Sequence, residues 1–415
     1  MNLPSMRSRA KGLLSSVTTW LVLTQLVTAG AAFLLNLLSS ASLDPADRGI
    51  LALFLQIGYL LTVLSMLGAE KPYIATAGKP IRSALGELQR LAAPGLVMCS
   101  MILLILAGIL WMNGVANWDL VGLGAVFVIG NLHLLVLRSG SIASTTWWTY
   151  VLTALGCQIL LVFGGVCLSV AGVNDLTLWV LLYVGSTLIA TIITLPKTNW
   201  SAYRIFRGSS SYRTSRDQGL RLLPASLGSV SMQRADRFLL PLLASPAALG
   251  IYVMAATAVS FSAWPIQQWS DTKLEAWASS KDRHLRRVLA PMGVAFIVTM
   301  VFGLIVSGVV WISIDKFLGT AYEPAKSLLP VLVASAVIYS LTRVQQGMMI
   351  ALGQAGRVSI SEITGLSISV CACFLLIPLF GALGAALSVL AGNLGCLIAA
   401  TCYWAASNRK FQTEQ

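Results

Sequence analysis

Twelve apolar segments, each close to the length that crosses a lipid bilayer, divide this chain almost from end to end. A helix needs about 20 apolar residues to span the hydrocarbon core. The segments fall at 13–38, 49–68, 91–112, 119–137, 147–172, 177–195, 219–243, 246–266, 288–313, 328–351, 359–380 and 383–407. Only 10% of the 415 residues are charged, against about 25% in soluble domains. The sequence therefore predicts an all-α, multi-pass membrane protein with about twelve transmembrane helices.

The basic residues predict which side of the membrane each connection faces. With the N-terminus inside, 22 of the 28 lysines and arginines fall in cytoplasmic segments, and only Arg48, Lys316 and Lys326 fall in outside loops. Cytoplasmic loops of multi-pass proteins carry this excess of positive charge. We therefore expect both termini to be cytoplasmic. The net charge of +13 follows from this topology, so it gives no support for a nucleic-acid partner.

A short internal repeat suggests that the chain has two similar halves. The stretch DPADRGILALFLQ (44–56) matches SPAALGIYVMAAT (245–257) at a constant offset of 201 residues, which places Gly49 with Gly250. Six predicted spans separate the two copies, and an even number makes the repeats parallel. We predict an N-lobe at 1–195, a cytoplasmic linker at 196–218, a C-lobe at 219–407 and a cytoplasmic tail at 408–415.

The seventh segment contains the stretch Pro224–Leu243, which is apolar overall but carries Arg234, Asp236 and Arg237 near its middle. An ionisable group at that depth costs about 2.5–3.5 kcal/mol on insertion scales, so it normally faces a partner or a wet cavity. Gln233 lies on the same helical stripe. One interpretation is a buried ion pair that joins helices. The other is an anion site, because Asp236 compensates only one arginine and guanidinium groups bind phosphate oxygens bidentately.

A second polar stripe lies on the tenth segment, where Tyr339, Arg343 and Gln346 recur at helical spacing. Arg343 either lines a cavity or extends towards the cytoplasmic interface about two turns away. In the eleventh segment, Glu362 follows Ser359 by three residues, which is typical of a helix-capping box.

The first half has polar but almost uncharged spans. Gln25, Asn131 and His133 are candidates for lining a cavity, and no carboxylate is expected at mid-span depth. A lone histidine in such a position is more often a hydrogen-bonded packing residue than a proton relay. The sequence has no G-x-x-x-x-G-K-[ST] loop and no metal-ligand spacing, so we predict neither a cofactor nor a metal site. All outside loops are short, which disfavours a membrane enzyme such as a polysaccharide polymerase or glycosyltransferase.

Three motifs resemble the multidrug/oligosaccharidyl-lipid/polysaccharide (MOP) exporter superfamily. They are DPADRGILALFLQIGYLLTVLSMLGAE, RADRFLLPLLASPAALGIYVMAA, and GQAGR followed by LIPLFGALGAALSVLAG. The chain is most similar to the Wzx-like flippases for polysaccharide repeat units. This resemblance implies two six-helix lobes in a V-shaped, MATE-like fold with alternating access. It also implies a substrate of undecaprenyl diphosphate bearing an oligosaccharide, moved to the periplasmic leaflet of a bacterial inner membrane for O-antigen or exopolysaccharide assembly.

The resemblance also implies roles for single residues and for partners. Cationic side chains line the cavity in that family, which matches Arg234, Arg237 and Arg343, and a polysaccharide polymerase and glycosyltransferases would be partners. Two neighbouring families compete. MATE-type drug exporters tend to carry acidic residues in the first lobe, which this chain lacks at mid-span, and lipid II flippases typically have fourteen spans.

Overall fold

The structure of the chain is a computed structural model that is helical in every regular element described. It describes residues 17–70, 73, 81–112, 118–143, 148–194, 216, 217, 219, 220, 223, 234–279, 285–352 and 354–413. Ten helices in these residues are long and apolar enough to cross a membrane, and Val27–Ser42, which belongs to the first helix, is a shorter apolar segment. Of the seventh predicted span, the structure describes residues 219, 220, 223 and 234–243. The predicted all-α, multi-pass fold class is confirmed.

The first half contributes six long helices. They are α1 (Val17–Ser42), α2 (Pro45–Ser65), α3 (Ile81–Met112), α4 (Trp118–Ala143), α5 (Trp148–Val170) and α6 (Leu176–Thr194). Helix α3 begins ten residues before its predicted start at 91, because the stretch from Ile81 to Arg90 is amphipathic and continues the helix. Its apolar side includes Leu85 and Leu88, which are fully buried against α4.

In the described residues, the second half contributes seven helices and three short turns. They are α7 (234–243), α8 (Pro246–Ser260), α9 (Trp264–Ser279), α10 (Leu285–Ser313), α11 (Ala325–Ala351), α12 (Ala355–Phe380) and α13 (Ala382–Thr413). A 3₁₀ turn at Phe261–Ala263 joins α8 to α9, which continues the eighth predicted span beyond residue 266. The turns Ile314–Leu318 and Thr320–Tyr322 precede α11.

The start of α8 shows how local sequence fixes a helix boundary. The Ser245 hydroxyl accepts a hydrogen bond from the Ala248 amide at 3.1 Å, and Pro246 occupies the first turn. A serine hydroxyl can accept a hydrogen bond from one of the first amide N–H groups of a helix, which have no acceptor within the helix. Proline has no N–H group, so at its position no donor is left without an acceptor. Arg48 was expected in an outside loop, but it lies within the first turns of α2 and is only 5% exposed.

Two compact units result from this packing. One consists of Met1–Ser42 with Phe54–Ser226, and the other of Leu43–Leu53 with Leu227–Gln415. In the first unit, α1 packs on α5 and α4 packs on α3 and α6. In the second, α11, α12 and α13 pack together, and α8 and α10 pack on α11. The predicted linker at 196–218 lies almost wholly outside the described residues, so the lobe boundaries stay a prediction.

Candidate functional site

Asp236 is tied to the neighbouring helix α8 and buried in the second unit. Its side chain sits on α7 and is 3% exposed. The hydroxyl of Tyr252, which is 1% exposed, donates a hydrogen bond to Asp236 Oδ2. The other carboxylate oxygen, Oδ1, has no hydrogen-bond partner among the described residues. Asp236 is therefore directed into the packing between α7 and α8.

The two arginines on either side of Asp236 are less buried than the carboxylate between them. Arg234 and Arg237 are both partly exposed. The Nε atom of Arg237 is inaccessible to solvent and has no hydrogen-bond acceptor within the described part of the chain. A buried guanidinium donor that lacks an acceptor is costly, so it favours an acceptor supplied from elsewhere. Gln233, the remaining candidate on this stripe, lies outside the described residues.

Arg343 forms an ion pair between two helices of the second unit. Its Nη1 atom on α11 lies 3.2 Å from Glu362 Oε1 on α12, and the two side chains are 26% and 16% exposed. Arg343 therefore contacts a neighbouring helix instead of extending along its own to the interface. The predicted capping box is wrong, because α12 begins at Ala355 with Gln354 as its N-cap. Glu362 lies two turns inside the helix, where it can reach Arg343.

Tyr339 and Gln346, predicted on the same stripe, both contact Arg343. The guanidinium carbon lies 5.0 Å from the centre of the Tyr339 ring, and Nη1 lies 3.4 Å from Gln346 Oε1. Gln267 on α9 donates to the Tyr339 hydroxyl at 3.2 Å. The amide nitrogen of Gln346 donates to Ser361 at 3.2 Å, which fixes the direction of its carbonyl. These contacts hold Arg343 in one orientation.

The candidates in the first unit are bound within their own helix bundle. Asn131 donates from Nδ2 to the Phe127 carbonyl one turn earlier, at 2.9 Å. His133 is 8% exposed, and its Nε2 lies 2.7 Å from the hydroxyl of Thr194 on α6. The side chain of Gln25 lies outside the described part of the chain. Two of these three candidates therefore have local structural partners.

The sequence reasoning missed two carboxylates in the first unit. Glu87 on α3 is 5% exposed and accepts a hydrogen bond from the hydroxyl of fully buried Tyr73 at 3.0 Å. Glu70 lies 3.5 Å from Arg138 and accepts a hydrogen bond from Ser139 at 3.0 Å. A sequence signal existed for Glu87, since it lies three residues after Ala84 and four before Leu91, and both of these residues are buried.

The neighbours of Tyr73 also affect its protonation. Burial first, and then the charge of Glu87 and the hydrogen bond to it, raise the pKa of Tyr73 far above the ordinary tyrosine value. Among the described residues, no three histidine, cysteine, aspartate or glutamate side chains come together as a metal site would require. Here the polar groups pair with each other across helices.

Solved structures of transporters share this fold. An inward-facing MATE-family multidrug resistance transporter of the MOP superfamily aligns with a TM-score of 0.64 and 14% identity, over 93% of this chain and 96% of that chain. Lipid II flippase MurJ in its inward closed conformation aligns with a TM-score of 0.62 and 11% identity, over 91% and 86%. The eukaryotic MATE transporter AtDTX14 aligns with a TM-score of 0.53 and 13% identity, over 94% and 98%.

These alignments establish the fold. No protein-family model matches the sequence, and no curated protein does either. The chain has the fold of these MATE transporters and of the lipid II flippase MurJ. A fold does not determine a substrate, so the substrate has to be argued from the site.

Proposed function

We propose that this protein is a flippase that moves undecaprenyl-diphosphate-linked oligosaccharide repeat units across a bacterial inner membrane. The direction is from the cytoplasmic to the periplasmic leaflet, by alternating access, for O-antigen or exopolysaccharide assembly. The observation that carries the proposal is the Arg237 guanidinium, whose buried Nε donor has no acceptor among the described residues. Arg234 lies one turn away, and Asp236 is already engaged by Tyr252.

A diphosphate matches this site chemically. Arginine presents its donors as a planar fork that pairs with two phosphate oxygens at once, and such charge-assisted hydrogen bonds are about twice as strong as neutral ones. Two arginines with one carboxylate leave net positive charge on α7, and an anion would compensate it. The lipid tail could remain in the bilayer while the headgroup passes through the protein. Scattered polar side chains would then contact the sugars.

The membrane potential favours the loaded step. A diphosphate diester carries about two negative charges, and each is worth about 2.3 kcal/mol per 100 mV across the membrane. Moving this anion outward from a negative interior is therefore downhill. A polysaccharide polymerase and the glycosyltransferases that build the repeat unit would be its functional partners.

A MATE-type exporter of drugs or metabolites is the second candidate, since the fold fits it equally well. A cation-coupled drug site would use free carboxylates in the first unit. The two buried or partly buried carboxylates described there, Glu70 and Glu87, are instead engaged by Arg138 and Tyr73. This favours the anionic substrate. A membrane polymerase or glycosyltransferase finds no support in the transporter fold.

The test is flipping of a fluorescent polyprenyl-diphosphate oligosaccharide by the full chain in liposomes. Arg237→Gln is expected to lower the rate by at least about tenfold, the effect of losing one charge-assisted hydrogen bond of 1.4 kcal/mol or more. Arg357→Gln is the matched control, because Arg357, at the start of α12, donates hydrogen bonds to Gln354 and to the Tyr403 carbonyl on α13. An Arg237→Gln rate equal to that of the control would overturn the anion site.

A second substrate separates the two candidates. The same liposomes can be loaded with a cationic drug in place of the lipid. Transport of the drug without transport of the lipid would support the MATE-type exporter and reject the flippase.

A further inference from the structure

We propose that Glu362 takes up one proton when the substrate diphosphate binds Arg343, so that substrate binding and proton binding are linked through this ion pair. The inference rests on the proposed function, since it requires an anionic substrate. It adds a proton-binding residue, Glu362, and assigns Arg343 as the group for which the carboxylate and the diphosphate compete.

The geometry makes the two anions competitors. Glu362 contacts Arg343 through Nη1 at 3.2 Å, and the Gln346 carbonyl shares that same nitrogen at 3.4 Å. The face of the guanidinium is covered by the Tyr339 ring at 5.0 Å. A diphosphate that approaches the edge of the guanidinium would therefore meet the Glu362 carboxylate. Like charges so close together in a membrane helix bundle disfavour the ionised carboxylate.

The partial exposure of the pair makes such an exchange feasible. A quarter of the Arg343 side chain is open, at 26%, and Glu362 is 16% exposed. Both belong to helices long enough to cross the membrane. Charged groups inside such helices face protein or water, because lipid does not solvate them. The open side of the pair is therefore accessible to a polar ligand and to the water that delivers the proton.

Few other groups near Glu362 can titrate or compensate its charge. Helix α11 presents Arg343 and the Tyr339 ring, and helix α13 presents Cys396, which interacts electrostatically with both members of the pair. On α12 itself, Arg357 is turned to Gln354 and the Tyr403 carbonyl. Within the described residues, Arg343 is therefore the cation that neutralises Glu362. Once the diphosphate takes Arg343, the carboxylate is left without compensation unless it binds a proton.

The exchange balances in charge and in protons. Before binding, Arg343 and Glu362 are together neutral. A diphosphate takes the place of the carboxylate at the guanidinium, and a proton from water bonds to a Glu362 carboxylate oxygen. No other bond changes. When the diphosphate leaves, Glu362 returns the proton to water and pairs again with Arg343.

The direct experiment measures protons released or taken up by the unmodified protein. The full chain in weakly buffered detergent solution is titrated with farnesyl-diphosphate-linked N-acetylglucosamine, in the presence of a pH indicator dye. This probe is a diphosphate diester, so both of its acid groups stay ionised and it contributes no proton of its own. About one proton should be taken up for each probe bound, and the affinity should fall by up to about tenfold per pH unit as the pH rises.

Two variants separate the possible outcomes. Glu362→Gln imitates the protonated carboxyl, so binding should remain, proton uptake should vanish and the affinity should lose its pH dependence. Arg343→Gln should weaken binding by about tenfold or more and also abolish uptake. A melting curve of each variant identifies any that does not fold, and the measurement on the unmodified chain needs no variant.

The flippase proposal and the proposed role of Glu362 would be rejected by different results. If the unmodified protein does not bind the probe at any pH, the proposed function falls and this inference falls with it. If it binds the probe with a pH-independent affinity and no proton uptake, the flippase proposal stands and the role of Glu362 is rejected. Uptake that persists in Glu362→Gln would also reject it.

Discussion

Gly49 and Gly250, equivalent residues of the internal repeat, pack backbone against backbone in the second compact unit. A Cβ atom added to Gly49 would lie 1.8 Å from the carbonyl oxygen of Pro246, and one added to Gly250 would lie 2.0 Å from that of Pro45. Each would also lie 3.1 Å from the backbone nitrogen of the other glycine. The two copies of the motif thus meet at the glycine they share, and no larger residue fits there.

Alanine at either glycine is expected to destabilise the protein. The added methyl group would meet backbone atoms, which cannot move aside as a flexible side chain can, so we expect a loss of about 1–3 kcal/mol or more for Gly49→Ala and Gly250→Ala. Gly293→Ala on α10 is the control, because nothing lies within 4 Å of its added Cβ. The unfolding equilibrium in mixed detergent micelles checks this. Equal stability of all three variants would show that the close approach is absent in the membrane protein.

The hydrogen bond from Tyr252 to Asp236 is expected to stabilise the second unit. Tyr252→Phe removes the donor but leaves the buried carboxylate, and an unsatisfied charged group costs more than the bond itself contributes. We expect Tyr252→Phe to lower the free energy of unfolding by about 2–3 kcal/mol. Tyr322→Phe is the matched control, since Tyr322 is 2% exposed and its hydroxyl donates a long bond of 3.4 Å to the Leu43 carbonyl. Similar losses of stability in the two variants would contradict the stabilising role of the hydrogen bond from Tyr252 to Asp236.

The sequence predicted the features that follow from single helices. Apolar segments near the length of a span gave the fold class, and helical spacing placed Tyr339, Arg343 and Gln346 on one face, where the structure does bring them together. Contacts between different helices could not be predicted in this way. Glu362 lies 19 residues from Arg343, and only the packing of α12 on α11 shows that they meet. A local motif around Glu362 suggested a cap because the start of α12 was placed too late.

Tyr73 provides a test of the first unit through its dependence on pH. Its pKa is raised by burial and by Glu87, so the protonated form stabilises the fold. This stabilisation is fully present below about pH 10, the ordinary tyrosine pKa, and it is lost as the pH rises above that value. Tyr73→Phe should lower stability by about 1–2 kcal/mol at about pH 8. Above about pH 10, the difference in the free energy of unfolding between Tyr73→Phe and the unmodified protein should shrink by up to about 1.4 kcal/mol per pH unit.

The unfolding equilibrium of Tyr73→Phe and of the unmodified protein, measured at about pH 8 and at about pH 11, checks this prediction. Arg138→Gln serves as the comparison, because Arg138 is 41% exposed in its pair with Glu70 and such surface pairs contribute at most about 1 kcal/mol. A difference between Tyr73→Phe and the unmodified protein that stays constant with pH would mean that Tyr73 ionises as easily as an exposed tyrosine.

His133 is expected to be a packing residue and not part of a proton pathway. The Thr194 hydroxyl donates its hydrogen to the Ala190 carbonyl at 2.8 Å, so it must accept a hydrogen from His133 Nε2, which lies 2.7 Å away. His133→Asn should therefore lower stability by about 1–2 kcal/mol and leave the pH profile of transport unchanged. Thr194→Val removes the same bond and should have the same effect. If His133→Asn flattens the pH profile while Thr194→Val does not, the histidine carries protons, and the pH dependence assigned to Glu362 would have a second source.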